Sequence, residues 1–196
     1  EAMVAAEVGD DVFEDDPTIA RLEAEGAACI GLEAGLFMAS GTMGNQCAIM
    51  THTLRGQEVL CGRPCHIQEH EVGAAAILSG VTLAPIDAPT GMLDGDRVAA
   101  AIRTEDVHHP VTGLLCLECA HSSGAVQPLD VLHGAVAAAR ERGVPVHLDG
   151  ARIFNAAHAL GVTPRGVAAQ EVRKHLHMQA AVLDPFGDTA GLHRPA

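Results

Sequence analysis

The stretch "VPVHLDGARIF", residues 144–154, decides the fold of this chain. Its apolar run of Val and Leu is typical of a buried strand, and the run ends at Asp149 and Gly150. A helical pattern that contains Arg152 follows at once. Because ligands of an open α/β sheet bind beyond the carboxyl ends of its strands, we expect Asp149 and Arg152 to lie at such a site. The alternative is that the Asp149 carboxylate only caps the next helix.

Similar segments precede this stretch, with apolar runs alternating with amphipathic ones at a spacing typical of βαβ units. The pattern predicts strands over residues 34–40, 58–62, 81–86, 113–118 and 145–149, and helices over residues 44–54, 69–78, 95–103, 129–143 and 151–161. The predicted fold class is α/β, a mostly parallel sheet wrapped by helices. Residues 170–196 contain no recognisable strand, so we expect the strand at 145–149 to be an exposed edge.

The composition limits the classes of function. The 196 residues carry a formal net charge of −13 at pH 7, which argues against binding to nucleic acid or to an anionic membrane. There is neither an uninterrupted apolar run long enough for a membrane span nor a basic signal start, so a cytoplasmic location is predicted.

The six cysteines are predicted to be free thiols of a reducing compartment. The pairs Cys61–Cys65 and Cys116–Cys119 could instead combine, with a nearby histidine, into a zinc site. No Gly or Pro turn of the knuckle type joins either pair, and Cys116 lies inside an apolar run. We therefore predict that the chain has no metal site.

Polar groups also follow the other predicted strands. The segment "ASGTMGN", residues 39–45, opens a helix with glycines and hydroxyl side chains, which can cradle a phosphate. It lacks the lysine of a P-loop, and an ordinary turn with Thr42 as a helix cap remains the alternative. His66 follows the strand at 58–62, and Glu118 and His121 follow the strand at 113–118. Each of these groups could be structural, but their repetition at successive strand ends indicates a ligand site.

These groups together outline a binding site for pyridoxal phosphate. The glycine-rich segment would meet the phosphate, and the Asp149 carboxylate could hold a protonated ring nitrogen. His66 lies between them in the predicted arrangement. The planar guanidinium of Arg152 suits a carboxylate or a phenolate oxygen.

Several segments in order resemble the low-specificity L-threonine aldolases, which are pyridoxal-phosphate enzymes of fold type I. The segments are "FMASGTMGNQCA", "CHIQEHEVGAA", "GLLCLECAH" and "HLDGARIFNAAHALGV". The resemblance covers about residues 1–169 and implies part of the pyridoxal-phosphate-binding large domain, truncated at both ends. It leaves residues 170–196 as a tail without a family match. It also implies a homo-oligomer, a tetramer in the family.

The resemblance assigns cofactor-binding roles to five residues. Gly41 and Thr42 would hold the phosphate, and His66 would stack on the pyridine ring. Asp149 would pair with the ring nitrogen. Arg152 would contact the ring oxygen and the carboxylate of the amino-acid substrate.

The implied reaction cleaves L-threonine or L-allo-threonine to glycine and acetaldehyde, a step of threonine catabolism and glycine biosynthesis. His66, His121 and Arg152 are the implied catalytic residues, with His121 near the β-hydroxyl of the substrate. A base must take the hydroxyl proton, and both histidines are candidates. The residues do not decide between them.

The chain departs from the family at the lysine that forms the Schiff base. Its single lysine, Lys174, lies in "EVRKHLH", whose neighbours do not match the family motif. We therefore expect the chain to be inactive by itself. The alternative is a non-catalytic truncated or spliced fragment that pairs with full-length subunits. Another fold type I enzyme, such as a β-eliminating lyase or a cysteine desulfurase, is disfavoured by the "GTMGN" and "DGARIFN" segments.

Overall fold

The computed structural model describes residues 1–13, 15–88, 90–103, 106–168 and the backbone of 176–178. These residues form a parallel sheet with the strand order β2-β1-β3-β4-β5. Its strands are β1 (Glu58–Arg63), β2 (Thr82–Asp87), β3 (Thr112–Glu118), β4 (Val146–Asp149) and β5 (Leu176–Met178). The predicted fold class is confirmed.

Helices precede, connect and follow the strands, as βαβ units require. They are α1 (Ala2–Ala5), a 3₁₀ turn (Asp11–Phe13), α2 (Pro17–Ile30), α3 (Gly41–His52), α4 (His66–Glu69), a π-helical turn (Ala75–Ser79), α5 (Gly95–Ala101), α6 (Leu129–Glu141), α7 (Ile153–Leu160) and α8 (Pro164–Val167). No helix among the residues described is long and apolar enough to cross a membrane.

The sheet is covered on both faces because alternate residues of each strand point to opposite sides. On one face, Leu60, Leu115 and Leu148 pack in a core with residues of α2 and α5 to α8. On the other face, Val59 and Leu114 pack with residues of α3 and the π-helical turn. The second face carries the polar groups described below at its carboxyl end.

Side chains cap the N-termini of α5 and α3. At α5 the cap is Asp94, whose Oδ1 accepts a hydrogen bond from the Arg97 backbone N–H at 2.8 Å. At α3 the cap is Ser40, whose Oγ accepts from the Met43 N–H at 3.1 Å. The alternative that Thr42 is the cap was wrong, since Thr42 already lies inside the helix.

The strand predicted over residues 34–40 is absent from the sheet. Leu36 and Phe37 are 68% and 45% exposed, and the Phe37 N–H donates to Glu23 Oε1 of α2 rather than to a neighbouring strand. The prediction failed because the apolar composition of a run does not specify a pairing partner.

The helix predicted over residues 69–78 forms only in its second half, because α4 ends at Glu69 and the π-helical turn begins at Ala75. After α4 the backbone of Val72 has a φ of 54°, which is uncommon for a β-branched residue, and Gly73 follows with a φ of 72°. Glu71 lies in this break between α4 and the π-helical turn, and its side chain is buried, with a residue exposure of 3%. A continuous amphipathic helix would not require that burial.

The prediction that β4 forms an edge was also wrong. Val146, His147 and Leu148 pair with residues 176–178 in a parallel register. A three-residue strand is too short to show a periodic pattern, so the sequence offered no sign of it. The other residues of the predicted tail, including Lys174, lie outside the described residues.

Candidate functional site

A cleft opens at the carboxyl ends of β1, β3 and β4, on the face of the sheet covered by α3. The register places Glu118 of β3 beside Asp149 of β4, so two carboxylates adjoin at this edge. The cleft is lined by Gly62, Cys65, Ile67, Gly91, Cys116, Leu117, Glu118, His147 and Asp149. The sequence predicts a ligand site at this same edge of the sheet.

Asp149 is held from two sides. Its Oδ1 accepts from the Ala151 backbone N–H at 2.9 Å, and its Oδ2 accepts from Asn45 Nδ2 at 2.9 Å. The residue therefore holds the turn after β4 and is also bonded to α3, whereas the alternative that it caps the next helix was wrong, because the N-cap of α7 is Arg152 and α7 has no side-chain cap. Each oxygen of a carboxylate can accept more than one hydrogen bond, so Asp149 retains capacity for a ring N–H.

The helix α3 joins the two ends of the predicted cofactor site. Gly41 and Thr42 form its first turn, and Asn45 lies roughly 6 Å farther along the axis at 1.5 Å per residue. The N-terminal turn of a helix attracts a phosphate through its backbone N–H groups and its dipole. A Cβ added at Gly41 would meet no atom within 4 Å, so the space above this turn is open. These features fit the phosphate of pyridoxal phosphate.

Glu71 is the centre of a buried hydrogen-bond network that the sequence analysis missed. Its Oε1 accepts from Asn45 Nδ2 at 2.8 Å and is 2.8 Å from His66 Nδ1, and its Oε2 accepts from Gln46 Nε2 at 2.6 Å. His147 Nε2 lies 2.8 Å from Asn45 Oδ1 and extends the network. The quoted motifs contain Glu71 and Asn45, but a glutamate in a predicted helix is usually exposed.

Two carboxylates position His66. Its ring contacts Glu71, and its backbone N–H donates to Glu118 Oε1 at 2.6 Å. The His66 side chain remains 37% exposed, so the ring is accessible while its Nδ1 edge is held. Burial raises the pKa of Glu118 above its usual value, and the nearby Asp149 charge adds to this, whereas the His66 N–H opposes it.

The raised pKa of Glu118 predicts a pH-dependent effect on stability. Because the folded state raises this pKa, the stabilising contribution is complete below the unfolded value and is lost as pH rises through the folded value. Glu118→Gln should therefore increase the melting temperature at neutral pH, and the increase should fade under acidic conditions. The Gln carbonyl can still accept from the His66 N–H. Thermal unfolding at several pH values measures this difference, and a melting temperature that falls at neutral pH would contradict it.

His121 lies in the loop after β3, and Arg152 lies at the N-terminus of α7. The Ser123 backbone N–H donates to His121 Nδ1 at 3.1 Å. Arg152 Nη1 donates to the Ala120 carbonyl at 3.0 Å. The His121 ring packs at the cleft wall, since a Cβ added at Gly91 would lie 3.1 Å from His121 Cδ2. The structure thus brings the predicted site residues to one edge of the sheet.

The cysteines nearest the cleft are mostly buried thiols. Cys61 of β1 lies opposite Cys116 of β3 in the parallel register of the two strands. Cys65 and Cys116 line the cleft. Burial raises the pKa of Cys116 and raises that of Cys119 to about 12. All six cysteines are free. Within the described ranges, no group of three or more His, Cys, Asp or Glu side chains is arranged to hold a metal ion.

Comparison with known proteins identifies the family. A family model described as Beta-eliminating lyase matches residues 1–172. The chain belongs to this family. Among curated relatives, the low specificity L-threonine aldolase of Escherichia coli (strain K12) is 44% identical over 162 residues, covering 82% of the chain and 48% of the relative. Low-specificity L-threonine aldolase 1 of Arabidopsis thaliana is 43% identical, covering 83% and 47%. The resemblance stated from the sequence is confirmed.

The chain spans about half the length of these relatives (48% and 47%). Solved structures agree with the fold. The threonine aldolase of Leishmania major has a TM-score of 0.59 at 25% identity, over 66% of this chain and 38% of its own. A serine palmitoyltransferase of Sphingomonas wittichii, 15% identical, shares the fold alone, with a TM-score of 0.55 over 73% of this chain and 33% of its own.

Proposed function

We propose that this chain binds pyridoxal phosphate as part of a lyase of the threonine aldolase type. The hydrogen bond from Asn45 of α3 to Asp149 carries the proposal. It ties the helix end that suits a phosphate to the carboxylate that suits a protonated ring nitrogen. This link supports a single site that would hold both ends of the cofactor.

Each predicted cofactor residue has a place in this arrangement. Gly41 and Thr42 would bind the phosphate through the first turn of α3, and Asp149 would accept from the ring nitrogen. His66 would lie against the ring, held by Glu71. When bound, the cofactor withdraws electrons from the bond that breaks in the substrate.

The remaining groups would bind and deprotonate an amino-acid substrate. Arg152 is oriented by the Ala120 carbonyl through Nη1, which leaves its other N–H groups to bind a carboxylate. His66 or His121 would take the proton of the β-hydroxyl as the molecule is cleaved to glycine and acetaldehyde. The names of the relatives at 43% and 44% identity support threonine or allo-threonine as the substrate.

Assembly and location belong to the same proposal. We propose a homo-oligomer, a tetramer as the resemblance implies, in the cytoplasm, with roles in threonine catabolism and glycine biosynthesis. The alternative remains a non-catalytic chain that pairs with full-length subunits. The two are distinguished by mixing the chain with a complete threonine aldolase and measuring whether mixed oligomers form.

The proposal predicts weak, non-covalent binding of pyridoxal phosphate to this chain. Titration should give saturable binding by equilibrium dialysis, the absorbance of the free aldehyde should not shift, and borohydride should trap no adduct. The expected absence of an adduct follows from the single lysine, Lys174, which does not match the family motif. A reduced adduct on Lys174 would contradict this prediction.

A matched pair of variants tests the binding site itself. Thr42→Ala should weaken binding about tenfold, because a hydrogen bond to a charged group contributes about 1.5 kcal/mol or more. Thr51→Ala, in the same helix, is the control, since the Thr51 hydroxyl donates to the Cys47 carbonyl at 2.8 Å and is far from the first turn. Equal losses in the two variants, or no saturable binding in the parent, would refute the proposed function.

A further inference from the structure

We infer that the protein holds His66 and His121 in opposite neutral tautomers, and that Glu71 is the positioning residue that sets the tautomer of His66. In consequence, His66 is the ring that can accept a proton from the substrate, and His121 is the ring that can donate a hydrogen bond to it. The tautomers follow from contacts within the chain. Their assignment to catalytic roles rests on the proposed function.

The tautomer of His66 follows from the donors around Glu71. The Glu71 carboxylate receives the N–H groups of Asn45 and Gln46 and also contacts His66 Nδ1 at 2.8 Å. An ionised carboxylate only accepts hydrogen bonds, so Nδ1 must carry the proton. The neutral ring then has its lone pair on Nε2, for which the described residues provide no hydrogen-bond partner.

The rest of the network agrees with an ionised Glu71. Asn45 Nδ2 contacts two carboxylates, those of Glu71 and Asp149, at 2.8 and 2.9 Å. Because neither carboxylate can donate, the amide must present its nitrogen to them and its oxygen to His147. His147 Nε2 then donates to that oxygen at 2.8 Å. A single assignment of protons satisfies the contacts among Glu71, Asn45 and His147.

The backbone imposes the opposite tautomer on His121. The Ser123 N–H donates to His121 Nδ1 at 3.1 Å, and the Ser123 hydroxyl lies 2.9 Å from the same nitrogen. A backbone N–H cannot accept a hydrogen bond, so Nδ1 must hold the lone pair. Neutral His121 therefore carries its proton on Nε2.

This difference in tautomer distinguishes His66 from His121, which the sequence left as equal candidates for the catalytic base. The hydroxyl proton of the substrate would pass to His66 Nε2, and the resulting imidazolium would be stabilised by the ionised Glu71 beside Nδ1. His121 cannot take that proton at Nε2, but its Nε2–H can donate to the substrate oxygen. Glu71 acts through His66 and does not contact the substrate.

The test is nitrogen-15 NMR of histidine side chains in the full 196-residue chain without cofactor, at a pH where both rings are neutral. The nitrogen shifts distinguish a protonated ring nitrogen from an unprotonated one. His66→Gln and His121→Gln assign the signals by their loss. We expect protonated Nδ1 in His66 and protonated Nε2 in His121. The same tautomer in both rings would overturn the inference.

Variants test which group sets each tautomer. Glu71→Gln should weaken the preference of His66, because a carboxamide can accept from or donate to Nδ1. The variant can remain packed, since Gln46 Oε1 has no hydrogen-bond partner and can turn to accept from the new amide. Glu69→Gln is the matched control, as it removes an exposed charge of α4 near His70. Ser123→Ala should leave His121 unchanged, because the backbone N–H remains.

These outcomes are separable from those of the proposed function. A His66 ring unaffected by Glu71→Gln, or a His121 proton that moves in Ser123→Ala, would overturn the assigned positioning groups. If Glu71→Gln does not fold, the tautomers of the parent chain decide the inference. Failure to bind pyridoxal phosphate would refute the proposed function but would not alter ring tautomers measured without it.

Discussion

Asp149→Asn is expected to weaken the binding of pyridoxal phosphate to this chain by about a hundredfold, and to reduce cleavage by a similar factor in a complete relative that carries the motif. A neutral amide cannot balance a protonated ring nitrogen, and the loss of one partner of a charge pair that the bound cofactor would cover costs about 3 kcal/mol. That free energy corresponds to about two orders of magnitude in affinity or rate. Equilibrium dialysis measures the first effect, and acetaldehyde release measures the second.

The fold should survive this substitution. Asp149 accepts from Ala151 and from Asn45, and an asparagine can retain one of these hydrogen bonds. Asp94→Asn is the matched control because Asp94 also accepts a backbone N–H at a helix start, but it lies on α5, which packs on the opposite face of the sheet. An Asp149→Asn affinity within a few-fold of the parent would mean that Asp149 only holds the turn after β4.

The chain of these 196 residues is expected to cleave L-allo-threonine no faster than free pyridoxal phosphate does. Its only lysine, Lys174, lies in a segment that does not match the family motif, so the amine that preactivates the cofactor is not supplied. The assay combines purified chain, excess cofactor and substrate, and follows acetaldehyde with a coupled dehydrogenase.

His66→Ala provides the control for this expectation. Turnover above background that disappears in His66→Ala would contradict the prediction, because it would show that the site works without the family lysine. Background equal to free cofactor in both the parent and the variant would support it. Phe154→Ala, at a side chain that is 41% exposed on α7, controls for impurities and general loss of protein.

The class of fold and the edge that carries the site could be predicted from the sequence. Apolar runs of five to seven residues that alternate with amphipathic stretches predict a parallel sheet, and the connection rules of such sheets place the carboxyl ends of the strands at one edge. Asp149 and His121 could therefore be assigned to the same edge without any knowledge of their contacts. The prediction of a strand at 34–40 was wrong because Leu36 and Phe37 are apolar but exposed, so their apolar character did not indicate burial in the sheet.

The partners of these residues could not be predicted, because they lie far apart along the chain. Asn45 and Asp149 are separated by 104 positions, and His147 is 102 positions from Asn45. The burial of Glu71 depends on a break after α4 that no local pattern required. Only the packing of α3 against the sheet reveals that this glutamate holds the His66 ring.

By itself the sequence determined the α/β architecture, the family and the positions of His66, Asp149 and Arg152 relative to the strand ends. These depend on periodicity and on short motifs, which are local properties of the chain. The tertiary structure alone decided that the buried Glu71 meets His66 Nδ1 and that Asn45 links Glu71 to Asp149. The physical reason is that a hydrogen bond acts over about 3 Å, so it depends on the final packing of distant segments.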